Sequence, residues 1–282
     1  TGALNESAAL DLFAALGVSV PECHVMQPGD SAPAGLSYPV VAKILSDQIA
    51  HKSDVGGVRV GLACAETLET AAREIAASVA AALPDVRPEG ILVQPMAQGL
   101  GEAIVGYHVD PSAGPVVIVG IGGVLAETYG DVALRTAPVD KGTALQMIEE
   151  VRGLSPLRGA RGHALGDLDS LAEIVVALSR LALARDVAEA EINPVIVRAK
   201  GAGALAVDGF VRLEVQIHGC SRVSPRRGGG RRHHGARHRA AFRAGRTGHP
   251  AFRPQRRAIS GGRAVHRKDA APPGRKGWAQ QR

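Results

Sequence analysis

Lys43 sits in Pro39-Val40-Val41-Ala42-Lys43-Ile44-Leu45, a run that otherwise reads as a buried strand. A charge removed from water is costly unless paired, so this lysine needs a partner. A polar, glycine-bearing loop follows, His51-Lys52-Ser53-Asp54-Val55-Gly56-Gly57-Val58. Much later come Glu191-Ile192-Asn193-Pro194 and then Asp208. A cation, a glycine loop and a late carboxylate/amide set together suggest a site for a magnesium-bound nucleotide. Glycines let backbone N–H groups approach phosphate oxygens, so Gly56 and Gly57 are candidates for a phosphate cover, while read alone the pair is more often a plain hairpin turn. The GxxxxGK[ST] order of a Walker loop is absent. His51 could act as a nucleophile, because a neutral imidazole nitrogen is competent near pH 7. Arg135 could meet phosphate through its planar guanidinium, or instead pair with nearby acids. Magnesium takes oxygen ligands and shares them with phosphates and water, which suits Glu191, Asn193 and Asp208.

These residues need elements to hold them. Asn5 caps a helix over 6–16 with Gly17 as its stop. Strands are expected near 22–26, 39–45 and 57–63, and a helix over 66–82 ended by Pro84. Further strands fall at 90–94, 103–109, 115–120 and 131–137, with a flexible turn at Gly120-Ile121-Gly122-Gly123. Helices follow at 140–151 and 168–184, the second marked by apolar residues at 168, 171, 174, 175, 178 and 181. A closing hairpin, 188–197 and 204–213, turns at Gly201-Ala202-Gly203 and puts Asn193 and Asp208 on neighbouring strands. Strands and helices mix without a dominant βαβ repeat, so the class is α+β.

Charge divides the chain. Residues 1–214 hold 15 Lys and Arg against 26 Asp and Glu, a net of −11. Residues 215–282 hold 18 against 1, a net of +17. The overall pI of about 9.6 therefore describes neither part. Arg, Gly, His, Pro and Ala dominate the last stretch and apolar periodicity disappears, so it is expected to be a disordered tail. Clustered arginines could contact nucleic acid. We prefer a frameshift origin, since out-of-frame reading of GC-rich codons yields this composition, and nucleic acid is not expected as a partner. Cys23, Cys64 and Cys220 are widely spaced and imply a reducing, cytoplasmic setting. Short, charge-interrupted apolar runs predict no membrane span. An N-terminal Thr1 in place of Met suggests a fragment or a processed chain.

The ordered set Pro39–Ile44, Ile49–Val58, Val93-Gln94-Pro95-Met96, Gly101–Gly106, Gly114–Val117, Gly120–Val124, Asp131–Arg135 and Glu191–Pro194 resembles the ATP-grasp domain of NDP-forming acyl-CoA synthetases, relatives of the succinyl-CoA synthetase β subunit. The resemblance spans about residues 4–213. It implies an ATP-grasp fold over 1–214, two α+β subdomains clasping ATP or ADP with Mg²⁺. It implies a phosphate contact for Lys43 and transient phosphorylation of His51. Val93, Gln94 and Met96 would hold adenine, Glu102 would lie near the nucleotide, and Asn193 and Asp208 would hold the metal. The chain departs from the family after Asp208, where Gly209-Phe210 replaces Ala-Arg/Lys, so an imperfect last strand is expected. The implied activity is ADP-forming acid–CoA (acetate–CoA) ligation, with a carboxylate, CoA and the CoA-binding domains supplied by the same parent chain or an α subunit. An alternative is a regulatory domain of a protein lysine acetyltransferase.

Overall fold

Two antiparallel sheets, each covered by helices on one face, form the framework. The computed structural model describes residues 2–49, 51–123, 130–184 and 186–214. The expected tail and Cys220 lie outside them.

The smaller sheet has four strands in the order β2-β5-β3-β4. These are β2 (His24–Met26), β3 (Val40–Leu45), β4 (Val58–Leu62) and β5 (Gly90–Pro95). Helix α2 (Ala65–Ala82) covers one face. Its buried Leu68, Ala72, Ile75 and Val79 pack with Val40, Ala42, Ile44, Ile91 and Val93. Period-two alternation then sends Lys43, Leu45 and Leu92 to the other face. Leu45 and Leu92 belong to the larger core, so Lys43 stands where the two halves meet.

The larger sheet runs β1-β11-β9-β6-β7-β8, with β10 pairing β9 off that path. Its strands are β1 (Gly2–Leu4), β6 (Gly101–Asp110), β7 (Gly114–Ile121), β8 (Val132–Thr136), β9 (Val187–Val197), β10 (Ala204–Ala206) and β11 (Gly209–Leu213). Helices α1 (Glu6–Ala15), α3 (Lys141–Glu150) and α4 (Leu168–Ser179) contribute to its core. Asn5 caps α1 as expected, its Oδ1 accepting from the Ala8 N–H at 2.9 Å.

The structure corrects three expectations. The helix predicted over 168–184 ends at Ser179 and finishes as a 3-10 turn, Arg180–Leu183. Ser179 Oγ donates to the Val176 carbonyl at 2.7 Å and accepts from the Val139 N–H at 3.1 Å, and such local bonding competes with helix propagation. The single strand expected over 204–213 is two, broken at Val207-Asp208. The break lies opposite Asn193-Pro194, where proline has no N–H for a ladder. β9 is bulged against β6 at the same place, two residues facing Ile104 alone. Strand β1 was not expected, because three residues carry no period.

Asp167 secures the turn between β9 and β10 and caps α4. Its carboxylate accepts from the N–H of Ser170 (3.1 Å), Gly201 and Gly203 (both 2.9 Å). Burial alone would raise its pKa; the three backbone donors outweigh that and hold it below the usual aspartate value. Asp167→Ala should lower stability by about 2–4 kcal/mol at pH 7, read by urea denaturation. Because the folded pKa is depressed, this contribution is present above the ordinary aspartate pKa and is lost as pH falls through the folded one. The gap between native and variant should therefore close in acid.

Candidate functional site: a charge cluster at the seam of two sheets

Lys43 is 6% exposed. A lysine snorkelling to water is thereby excluded. Its Nζ donates to Glu6 Oε1 at 2.6 Å, to the Val207 carbonyl at 2.9 Å and to Asp208 Oδ2 at 3.0 Å. Three acceptors use its three protons. Burial disfavours the ammonium, but the adjoining Asp208 and Glu6 carboxylates outweigh it and hold its pKa above the ordinary lysine value. A phosphate oxygen would therefore have to replace one of these protein acceptors.

Glu6 was not singled out from the sequence, where it reads as a first-turn helix acid. Its side chain is fully buried, and its second oxygen accepts from Lys52 Nζ. Thus α1, β3, the 51–57 loop and the 207–208 break meet at two carboxylates and two ammonium groups. Gln94 Nε2 also donates to the Val207 carbonyl, at 2.8 Å, beside Lys43. The early basic strand-and-loop and the late acidic hairpin do converge.

The loop's glycines do something other than expected. The Gly56 N–H donates to Ser53 O (3.1 Å) and the Gly57 N–H to Lys52 O (2.7 Å). Both amides are committed within the loop, so neither stands free for a phosphate. Gly56 closes the 3-10 turn Lys52–Val55 with φ +70°, the left-handed region that favours glycine. At Gly57 a Cβ would lie 2.7 Å from Ile44 Cγ2 and 2.8 Å from Lys52 O. Their role is to let the loop fold tightly against β3. His51, at the start of that turn, is exposed.

On β9, Glu191 and Asn193 point away from the helices. Ala190 and Ile192, one position off, are buried under them. Asn193 Nδ2 donates to Glu191 Oε1 at 3.4 Å. The Asn193 N–H donates to the Asp208 carbonyl at 3.3 Å, so these two residues face each other across the break. Asp208 keeps about a third of its side chain exposed (35%). Two carboxylates and an amide oxygen suit a hard cation shared with phosphates and water. No group of three His, Cys, Asp or Glu side chains able to hold a metal occurs among the described residues.

The remaining candidates divide. Val93 is wholly buried in the smaller core, and Met96 is 44% exposed just past β5. Glu102 is exposed on β6 and lies over Gly123, where a Cβ would sit 3.0 Å from its Oε2. Arg135 pairs in register with Val117, Tyr107 and, through it, Ala190, on the helix-covered face. It bonds Glu150 at the end of α3. The structure does not bring Arg135 to the cluster: alternation along β8 turns it to the side opposite Glu191. Cys23, near Gln94 (Sγ to Oε1 3.6 Å), is no nucleophile. Burial first, and the Glu6 carboxylate second, push its thiol up to about 11.

A family model for the ATP-grasp domain matches residues 1–213. The β subunit of ADP-forming acetate–CoA ligase I from Pyrococcus furiosus is 37% identical over 209 residues, 73% of this chain and 89% of that subunit. ADP-forming acetate–CoA ligase I of Archaeoglobus fulgidus is 38% identical over 196 residues, 68% of this chain, but the match spans only 28% of that longer protein. Among solved structures, an acetyl-coenzyme A synthetase 1 chain of Ca. Korarchaeum cryptofilum, in complex with coenzyme A and Ca-AMPCP, superposes with a TM-score of 0.71 at 35% identity, covering 76% of this chain and 94% of that one. No described helix is long and apolar enough to cross a membrane. The chain, with its two sheets joined at a buried charge cluster, belongs to the ATP-grasp domain family and is similar to the ATP-grasp parts of ADP-forming acetate–CoA ligases.

Proposed function

We propose that the chain is the nucleotide-binding and phosphoryl-relay part of an ADP-forming acid–CoA ligase. The whole reaction is acyl-CoA + ADP + phosphate ⇌ acid + ATP + CoA. The observation that supports this reading is the meeting of Lys43 with Asp208, and of Asp208 with Asn193, at the seam, in a chain whose exposed His51 opens the adjoining loop.

In the ATP-consuming direction a neutral His51 ring nitrogen attacks the γ-phosphorus. The N–P bond forms, the P–O bond to the β-phosphate breaks, ADP leaves with the electron pair, and the other ring nitrogen releases its proton to water. The reverse makes ATP. Lys43 exchanges the Asp208 oxygen for a phosphate oxygen. Glu191, Asn193 and Asp208 would hold Mg²⁺, which when bound offsets phosphate charge. Gln94 and Met96 border the adenine, Met96 through its exposed apolar side chain, with Val93 supporting them from the core. Glu102 borders the nucleotide from β6. The carboxylate, CoA and the CoA-binding domains belong to the rest of a parent chain or to an α subunit, in the cytoplasm.

Calorimetry tests the binding part. The full chain should bind Mg-ATP, and Asn193→Ala and Glu191→Gln should each weaken it about tenfold or more. In EDTA the native chain should lose most of that affinity and the variants little. Equal binding by native and variant chains with Mg²⁺ present would overturn the metal assignment.

A further inference from the structure

Glu6 has no place in the reaction just described, yet it is the most completely buried charge of the cluster. Its side chain is 0% exposed, against 8% for Lys43 and 12% for Lys52. Each carboxylate oxygen serves a different lysine. Oε1 takes Lys43 from β3 and Oε2 takes Lys52 from the loop. A first-turn acid is worth only a modest helix-dipole gain, which an exposed glutamate would also supply. Burying it needs another reason.

The loop shows one. Lys52 directly follows His51. Its carbonyl accepts from the Gly57 N–H, and the Gly57 carbonyl accepts from Ile44 N–H at 2.7 Å, which ties the loop's main chain to β3. Its side chain is tied to α1 by Glu6. His51 itself is exposed, and its carbonyl accepts from the Asp54 N–H at 3.3 Å, so its main chain belongs to the turn that Lys52 anchors. We infer that Glu6 is a positioning residue for phosphoryl transfer at His51, acting through Lys52 and not by touching the nucleotide. The inference rests on the reading of His51 as phosphoryl acceptor. An imidazole displaced by an ångström loses much of its rate while the nucleotide, bound elsewhere, keeps its affinity.

The test is transfer of label from γ-labelled Mg-ATP into the full chain, with the labelled residue mapped and nucleotide affinity measured by calorimetry in parallel. Glu6→Gln and Lys52→Gln should each slow labelling about tenfold or more; Lys52→Gln, which leaves the Glu6–Lys43 pair in place, should change affinity less than about twofold. The double variant should be no slower than Glu6→Gln alone, since that change already breaks the link to Lys52. Lys52→Arg, which keeps a cation within reach of Glu6, should restore most of the rate. If Glu6→Gln does not fold, the Lys52 pair decides. Native-rate labelling in Lys52→Gln overturns the inference, and so does an affinity loss that parallels the rate loss, which would make Lys52 a nucleotide contact. Absence of label on His51 in the native chain overturns the functional reading itself.

Discussion

Lys43→Met should destabilise the protein by about 3–5 kcal/mol, because removing one partner of a buried ion pair leaves the other uncompensated. Here two carboxylates would each lose a donor. Glu6 would keep Lys52, but Asp208 Oδ2 would lose its ammonium donor, and Val207 would keep only Gln94. For a folded body of this size each kcal/mol is worth about 2–4 °C, so the melting temperature should fall by roughly 6–20 °C. Methionine nearly matches the lysine stem, so lost packing contributes little. Scanning calorimetry at pH 7 checks it. The pH dependence has a definite sign. Lys43 has a folded pKa above its unfolded one, so its contribution is complete below the ordinary lysine pKa and is lost as pH rises through the folded value. The native protein should lose stability in strong alkali more steeply than Lys43→Met. A variant as stable as the parent at pH 7 would mean that the cluster is not what joins the two sheets.

His51→Asn should abolish phosphorylation of the chain by Mg-ATP, a fall of at least about 100-fold, with nucleotide affinity nearly intact. Asparagine keeps a polar loop residue but has no nucleophilic ring nitrogen. Since His51 is exposed, its replacement should leave the melting temperature within about 1–2 °C. Acid-labile label on the native chain, absent from the variant, is the expected pattern. Persistent label would place the phosphoryl acceptor elsewhere.

Much of this arrangement was legible in the sequence. Lys43 inside an apolar run required a partner, and the structure gives it three acceptors. The closing hairpin set Asn193 against Asp208 by spacing alone. What could not be read were facts of direction. Glu6 looks like any first-turn acid, and only the docking of α1 against β3 buries it. Gly56 and Gly57 have the composition of a phosphate cover, but composition does not say where an N–H points, and both point into their own loop. Arg135 shares a strand with exposed Leu134, and only the register with β7 decides which of the two faces the helices. The departure after Asp208 signalled an imperfect last strand, but the break at Val207-Asp208 lies opposite Asn193-Pro194, a long-range pairing that no local pattern carries.

The Val207 carbonyl accepts from both Gln94 and Lys43, side chains of two neighbouring strands of the smaller sheet, while belonging to the larger one. One peptide oxygen thus works as an axle pin. The same oxygen fixes the spacing of the two sheets at residues 207–208, so Lys43 and Gln94 are held in register with the 207–208 break from both sides of the seam.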